Sequence, residues 1–254
     1  MRRVGGPTTS GRALFVLLAL GITGLIIPTT PVSMSMPVRS PAPAVRPSTV
    51  VTPFPAGADA GQRRTAALAR MEAAIEWAPS ASVGRPNRGR LVNGVRLPAE
   101  GLHFTTWDGP RRAGPNRSWR RWGTGRLVSM VLTVSRDYAA ANPEASRVLV
   151  GDLSRRYGGD FGRRYGGDGH ASHQNGLDVD IWYPRKDGAE VAPTTLASID
   201  RELAQDLLNR FVAAGAEYVF VGDRSGLRAP KGKSEVVRVW PNHNDHMHVR
   251  LRRK

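Results

Sequence analysis

Apolar and polar positions alternate most strictly in two short runs near the middle and the end of the chain. From Leu177 to Tyr183 the odd positions are Leu, Val, Ile and Tyr, while the even ones are Asp178, Asp180 and Trp182. From His246 to Leu251 the apolar residues are Met247, Val249 and Leu251, with His246, His248 and Arg250 between them. A period of two predicts strands with one face in a core and the other carrying polar groups. Helical spacing occurs elsewhere. Leu68, Met71 and Ile75 predict a helix over Arg64 to Trp77, limited by Pro79. Leu127 to Ala141 predicts a second helix that stops before Asn142-Pro143, and Leu196 to Ala214 a third with Gly215 as its stop. Val148 to Val150 and Glu217 to Val221 read as short strands. Asn93-Gly94, set between two short alternating runs, predicts a two-residue hairpin turn within Arg90 to Leu97. Asp108 to Arg121, rich in Arg, Gly and Pro, predicts a surface loop.

The N-terminal region has a different texture. Arg2, Arg3 and Arg12 precede an uncharged apolar run from Ala13 to Ile27, broken by Pro28, which reads as an export signal over residues 1–36 or as an uncleaved anchor. Residues 37–60, rich in Pro, Ser, Ala and Val, read as an extended linker. The remaining residues, 61–254, are expected to form one domain. Within it, Arg155-Arg156-Tyr157-Gly158-Gly159-Asp160-Phe161-Gly162 is nearly repeated by Arg163 to Asp168. Two copies are too few for a solenoid, and the plainer reading is a duplication in a tolerant basic surface loop.

Composition limits the chemistry. The chain has no cysteine, which excludes a disulfide framework, a thiolate metal site and a cysteine nucleophile. Its 37 Lys and Arg outnumber 21 Asp and Glu, giving a formal net charge of +16 and pointing to an anionic partner. Residues 1–36 hold three of the arginines and no acid, so the rest of the chain keeps a charge of +13.

Five of the six histidines fall in two clusters that adjoin the alternating runs. One is His170-Ala171-Ser172-His173, ahead of Asp178 and Asp180; the other is His243-Asn244-Asp245-His246-Met247-His248. If the two strands are neighbours, Asp180 and the histidines of the second run point into one space, and His173 arrives from the preceding loop. Imidazole and carboxylate suit zinc, and a catalytic zinc uses three protein ligands and leaves a position for water. His246, two residues from His248 on the same face, is placed to carry a proton. Asp178 reads either as a group orienting a ligand or as an exposed strand acid. His170 and His243 read as auxiliary groups beside the site, against solvated loop residues; His103, with no partner in sequence, reads as structural.

The two motifs His170-Ala171-Ser172-His173-Gln174-Asn175-Gly176-Leu177-Asp178-Val179-Asp180-Ile181 and His243-Asn244-Asp245-His246-Met247-His248-Val249-Arg250-Leu251 resemble those of the penicillin-insensitive murein endopeptidases, within the lysostaphin and D-alanyl-D-alanine peptidase group. Asn87-Arg88-Gly89, Trp122-Gly123-Thr124 and Val150-Gly151-Asp152-Leu153-Ser154 add weaker support. The similarity spans Val83 to Leu251. It implies an α+β fold around a small antiparallel sheet, with zinc held by His173, Asp180 and His248, and His246 assisting the attacking water. His170 and His243 would line the site. It further implies an exported enzyme, periplasmic or wall-associated, that cleaves D-alanyl to diaminopimelyl cross-links between peptidoglycan stems. No nucleic-acid partner is implied, and contact with a membrane only through the N-terminal segment. The absence of cysteine departs from members that carry it. Two other readings fit parts of the pattern: a non-catalytic wall-binding module that keeps zinc for structure, and a secreted metal-dependent nuclease favoured by charge alone.

Overall fold

The computed structural model describes residues 59–162 and 170–253. The expected signal or anchor, nearly all of the linker and the second copy of the duplicated motif therefore lie outside the described residues. Among the described residues no helix is long and apolar enough to cross a membrane.

The first helix, α1, spans Ala60–Ala73, starting and ending four residues before the apolar spacing predicts. Its start is set by Asp59, whose carboxylate accepts from Gln62 N at 2.7 Å while Asp59 N donates to the Gln62 side chain at 3.2 Å. This reciprocal cap satisfies donors that the first turn leaves unpaired. A pattern read from Leu68, Met71 and Ile75 alone does not see it.

The expected hairpin at Asn93-Gly94 is not formed. Instead β1 (Ala81–Arg85) pairs with β2 (Arg88–Val92) in the register Arg85↔Arg88 and Ala81↔Val92, so the turn falls at Pro86-Asn87. Asn93, in the left-handed region at φ 48°, then redirects the chain into β3 (Val95–Arg96), which pairs with β5 (Trp122–Gly123). The reason lies in the two apolar residues that flank the turn. Leu91 packs into the space left by Gly94 and Gly176, whereas Val95 is fully buried in the main core, so the runs serve different partners.

The main sheet also contains β4 (Phe104–Thr106), β6 (Val148–Val150), β7 (Asp178–Trp182), β8 (Ala216–Val221), β9 (Val237–Val239) and β10 (His246–Leu251). Their order is β4-β6-β7-β10-β8-β9. The centre, from β6 to β8, is antiparallel, and the pairs β4 with β6 and β8 with β9 add parallel edges. The fold is α+β, as the sequence led us to expect, with a sheet that is larger and more mixed. Two helices, α2 (Gly125–Ala141) and α3 (Arg201–Ala213), are capped by Thr124 and Asp200. Their buried residues, among them Val131, Leu207 and Phe211, join Val179, Ile181, Met247, Val249 and Val219 in one core. Each such side chain contributes about 1.5–3 kcal/mol on burial. That core occupies the odd-numbered face of β7 and β10 and leaves their even-numbered face to other uses.

Two expected loops are more ordered than their composition suggests. Within Asp108 to Arg121, Asn116, Arg120 and Arg121 are buried and Ser118–Arg120 forms a 3-10 turn. In the first copy of the duplicated motif, Phe161 is fully buried, Tyr157 O accepts from Leu91 N at 3.0 Å, and Gly159 N donates to Gln174 O at 2.9 Å. This copy is a structural splint between β2 and the first histidine cluster, not a tolerant loop. Gly158 (φ +67°) leaves no room for a Cβ, which would lie 2.1 Å from Gln174 O, whereas at Gly159 (φ +78°) nothing lies within 4 Å. Gly159→Ala is expected to cost about 1 kcal/mol for the left-handed backbone, and Gly158→Ala about 3 kcal/mol once the clash is added. Denaturant unfolding of the two variants checks the difference, and equal costs contradict the splint.

Candidate metal centre

The antiparallel pairing of β7 with β10 places His248 directly opposite Asp180. Both side chains leave the sheet on the face away from the helices. Sequence alternation predicted this meeting, but not its depth: Asp178, Asp180, His173 and His248 are all buried. Asp178 is not an exposed strand acid. Its Oδ1 accepts from Arg250 Nε at 2.6 Å and lies 2.9 Å from His248 Nε2, while its Oδ2 accepts from His173 N at 3.2 Å. Burial opposes ionisation of Asp178, but His248 and Arg250 hold its carboxyl well below the usual range.

His173 enters from the loop before β7 with a left-handed backbone, φ 66°, a conformation uncommon for a residue with a Cβ. The hydrogen bond from its amide to Asp178 and the ring contact with Leu153 O, at 2.6 Å from Nδ1, hold it there. A carbonyl only accepts, so Nδ1 carries the proton and Nε2 presents a lone pair. Burial lowers the pKa of His173, which keeps the ring neutral.

That lone pair faces Asp180 Oδ1 at 3.3 Å, and Asp180 Oδ1 lies 3.1 Å from His248 Nδ1. Neither His173 Nε2 nor Asp180 Oδ1 makes a hydrogen bond among the described residues, although both atoms are buried. Two acceptor atoms turned toward each other in the interior are costly unless a positive charge joins them. His248 Nε2 faces Asp178, so its other nitrogen, Nδ1, is the one turned to the shared space, the arrangement in which a carboxylate orients a ligating imidazole. Burial lowers the His248 pKa, but Asp178 and Asp180 together push it up to about 9. Binding of a cation among these atoms therefore costs His248 a proton. Burial likewise opposes ionisation of Asp180, yet the surrounding imidazoles, His248 at 3.1 Å and His170 at 3.7 Å among them, hold its carboxyl well below the normal range.

His170, His173 and Asp180 each place a ligand atom within 4.8 Å of the others, a group able to hold a metal ion. His170 is set apart by its prior engagement: its Nε2 lies 3.0 Å from Asp152 Oδ2 and 3.7 Å from Asp180 Oδ2. Asp152 is in turn fixed by Arg120, whose Nε donates to Oδ1 at 2.6 Å, and by Asn116 Nδ2 at 2.9 Å. Phe161 packs against both rings of the first cluster, stacked on His173 with centroids 5.5 Å apart and edge-on to His170 at 5.4 Å. Sequence reasoning assigned no role to Asp152, Arg120, Asn116 or Phe161. Asp152 figured only within Val150-Gly151-Asp152-Leu153-Ser154, one of the weaker points of the family resemblance.

The second cluster lines the mouth. His243, His246 and His248 border a cleft of about 470 Å³ with His170, Phe220 and Trp240 on its walls and Pro86-Asn87 at one edge. His246 Nδ1 lies 2.7 Å from Asp245 Oδ1, and the His246 ring packs 5.2 Å from Trp182. His243 Nδ1 is held by Pro241 O at 2.7 Å, and burial lowers its pKa. All seven residues singled out from the sequence thus gather at one place.

Comparison with known proteins points the same way. Residues 82–217 match the family model described as penicillin-insensitive murein endopeptidase, a stretch that holds the first histidine cluster and β7 and ends before the second cluster. Proteins bearing that name from Escherichia coli O6:K15:H31 (strain 536 / UPEC) and O17:K52:H18 (strain UMN026 / ExPEC) are 30% and 29% identical over 201 aligned residues, covering 67% of this chain. The chain spans 66% of the length of each of these relatives. The match over more than half of its residues establishes that the chain belongs to the penicillin-insensitive murein endopeptidase family.

Proposed function

We propose that the chain is an exported zinc metallopeptidase that hydrolyses the D-alanyl to diaminopimelyl cross-links of peptidoglycan. The observation that carries the reading is a pair of buried acceptors 3.3 Å apart, His173 Nε2 and Asp180 Oδ1, with no hydrogen bond among the described residues, and with His248 Nδ1 3.1 Å from the carboxylate oxygen. These three residues form the proposed ligand set, because two imidazoles and one carboxylate suit zinc and three protein ligands leave a position open. His170, already engaged by Asp152, stands beside them. Zinc held there supplies a Lewis acid that polarises the scissile carbonyl and makes water acidic enough to attack near neutral pH.

The remaining chemistry falls to the chain. In the proposed mechanism His246 donates its Nδ1 proton to Asp245, which leaves Nε2 as the base that takes a proton from water and returns it to the departing amine. Asp178 keeps the His248 ring in the ligating tautomer, and Arg250 holds Asp178 ionised. Family membership and the surplus of basic groups support an anionic wall substrate, and residues 1–36 support export. The stems of the wall peptide enter by the cleft between Pro86-Asn87 and Trp240.

Digestion of purified cross-linked peptidoglycan tests the reading. Dimeric muropeptides are expected to become monomers, and a chelator to stop the conversion; intact dimers in the presence of a zinc-loaded chain contradict it. His173→Ala or His248→Ala is expected to lose zinc on gel filtration, measured by metal analysis, and stoichiometric zinc in either variant removes that residue from the ligand set. Asp178→Asn should weaken zinc about 10–100-fold while the metal still binds. His246→Ala should keep stoichiometric zinc while kcat falls about 10²–10⁴-fold; unchanged turnover takes His246 out of the mechanism.

A further inference from the structure

The hairpin at the edge of the cleft carries a charge pattern that the proposed cleavage does not use. From Pro79 to Pro98 the chain has four arginines and no acid. Three of them, Arg85, Arg88 and Arg90, lie exposed on one face of the sheet formed by β1 and β2. Arg85 and Arg88 are directly opposed in register, an arrangement that weakens a hairpin unless a counter-charge lies over it. Arg90 follows Arg88 on the same face at a spacing of about 7 Å. Among the described residues none of the three side chains makes a hydrogen bond or an ion pair. Further cations border the face. Arg253 reaches the hairpin by donating to Gly84 O at 3.3 Å, and Arg156, on the splint bonded to β2, rests over the Trp122 and Tyr157 rings.

The hairpin is also tied to the metal centre. Pro86 O accepts from Gln174 N at 2.9 Å, next to His173, and Gly89 O accepts from Gly159 N at 3.1 Å. Its turn, Pro86-Asn87, is part of the cleft wall. A polymer lying on the arginine face is therefore held at a fixed place beside the site.

We propose that the exposed face of this hairpin docks a linear phosphodiester polymer of the cell wall and so stations the chain on its substrate. Guanidinium groups pair with phosphate oxygens in two-pronged fashion, and three at short spacing engage neighbouring charges of one chain. The face presents Val83 and Val92 beside the arginines and no aromatic ring of its own, and Tyr157, exposed on the neighbouring splint, is overlain by Arg156, so no row of rings is offered to successive nucleic-acid bases. Its turn residues, Pro86 and Asn87, give no large apolar group for insertion into a bilayer. The location of the polymer in the wall rests on the function proposed above; its chemistry does not.

Binding of labelled poly(glycerol phosphate) to the full-length chain, followed by anisotropy across a salt series, tests this without using catalysis. The variant R85Q/R88Q/R90Q is expected to bind at least about tenfold more weakly, with the slope of log affinity against log salt lower by about 2, as for lost phosphate contacts. R85K/R88K/R90K, which keeps the charge but not the two-pronged geometry, should keep the salt slope and bind between the wild type and the triple Gln variant. R228Q/K231Q/K233Q, a control at exposed basic positions elsewhere in the chain, should bind like the wild type. The single variants Arg85→Gln and Arg88→Gln, each expected to lower the slope by about 1, give the same readout with minimal disturbance of the fold. Cleavage of a small soluble cross-linked muropeptide should be unaltered by the triple Gln variant, which separates docking from catalysis. The proposal is overturned if the triple Gln variant binds as tightly as the wild type, if the control weakens it equally, or if duplex DNA or anionic vesicles outcompete the polymer for these arginines.

Discussion

Two lone pairs facing each other 3.3 Å apart in the protein interior, on His173 Nε2 and Asp180 Oδ1, set the terms for everything around them. A carboxylate taken out of water costs several kcal/mol even after its surroundings relax. The chain meets this cost with positive charge and with donors, never with apolar cover. Without a cation, protonated His248 supplies that charge from the neighbouring strand; the proposed zinc would supply it instead as His248 gives up its proton. The surrounding bonds, from Leu153 O to His173 and from Asp178 to His248, fix which nitrogen of each ring is turned inward. Without them the same residues would turn the wrong nitrogens inward, and the site would be a cluster of histidines with no common focus.

The fold is arranged to hold that focus steady. A strand presents alternate side chains to opposite faces, so one register decision between β7 and β10 both buries Val179, Ile181, Met247 and Val249 under the helices and brings Asp180 to His248. A slip by one residue would send the carboxylates into the core, where the burial of α2 and α3 forbids them. The energetics of the core and the geometry of the site are thus one constraint seen from two faces. The loop carrying His170 and His173 has no such lattice, and it is held instead by the hairpin turn, by the Gly158 splint and by buried Phe161.

This division also explains what the sequence made legible. Strand alternation and histidine clustering are local, and from them β7, β10 and the side chains that meet between them could be read, while helical spacing located α2 and, with a start five residues too early, α3. The misreadings came where a distant partner decides. Asn93-Gly94 carries a strong local turn signal, yet the strands on either side of it pair elsewhere because Leu91 and Val95 are buried in different places. Arg120 looked like a loop residue because its partner, Asp152, is 32 positions away. Phe161 sits in a basic, glycine-rich motif whose composition gives no hint that it packs against both rings of the first cluster. In each case the information is in the sequence but not within any short window of it.

The facing acceptors His173 Nε2 and Asp180 Oδ1 are proposed to hold one divalent cation. The most direct test is calorimetric titration of the chelator-stripped chain with zinc, paired with its thermal unfolding. One tightly bound zinc per chain is expected, with a stabilisation on the order of 4 kcal/mol at a thousandfold excess over Kd, seen as a raised Tm. Absence of saturable binding, with an unfolding curve indifferent to zinc, would contradict it.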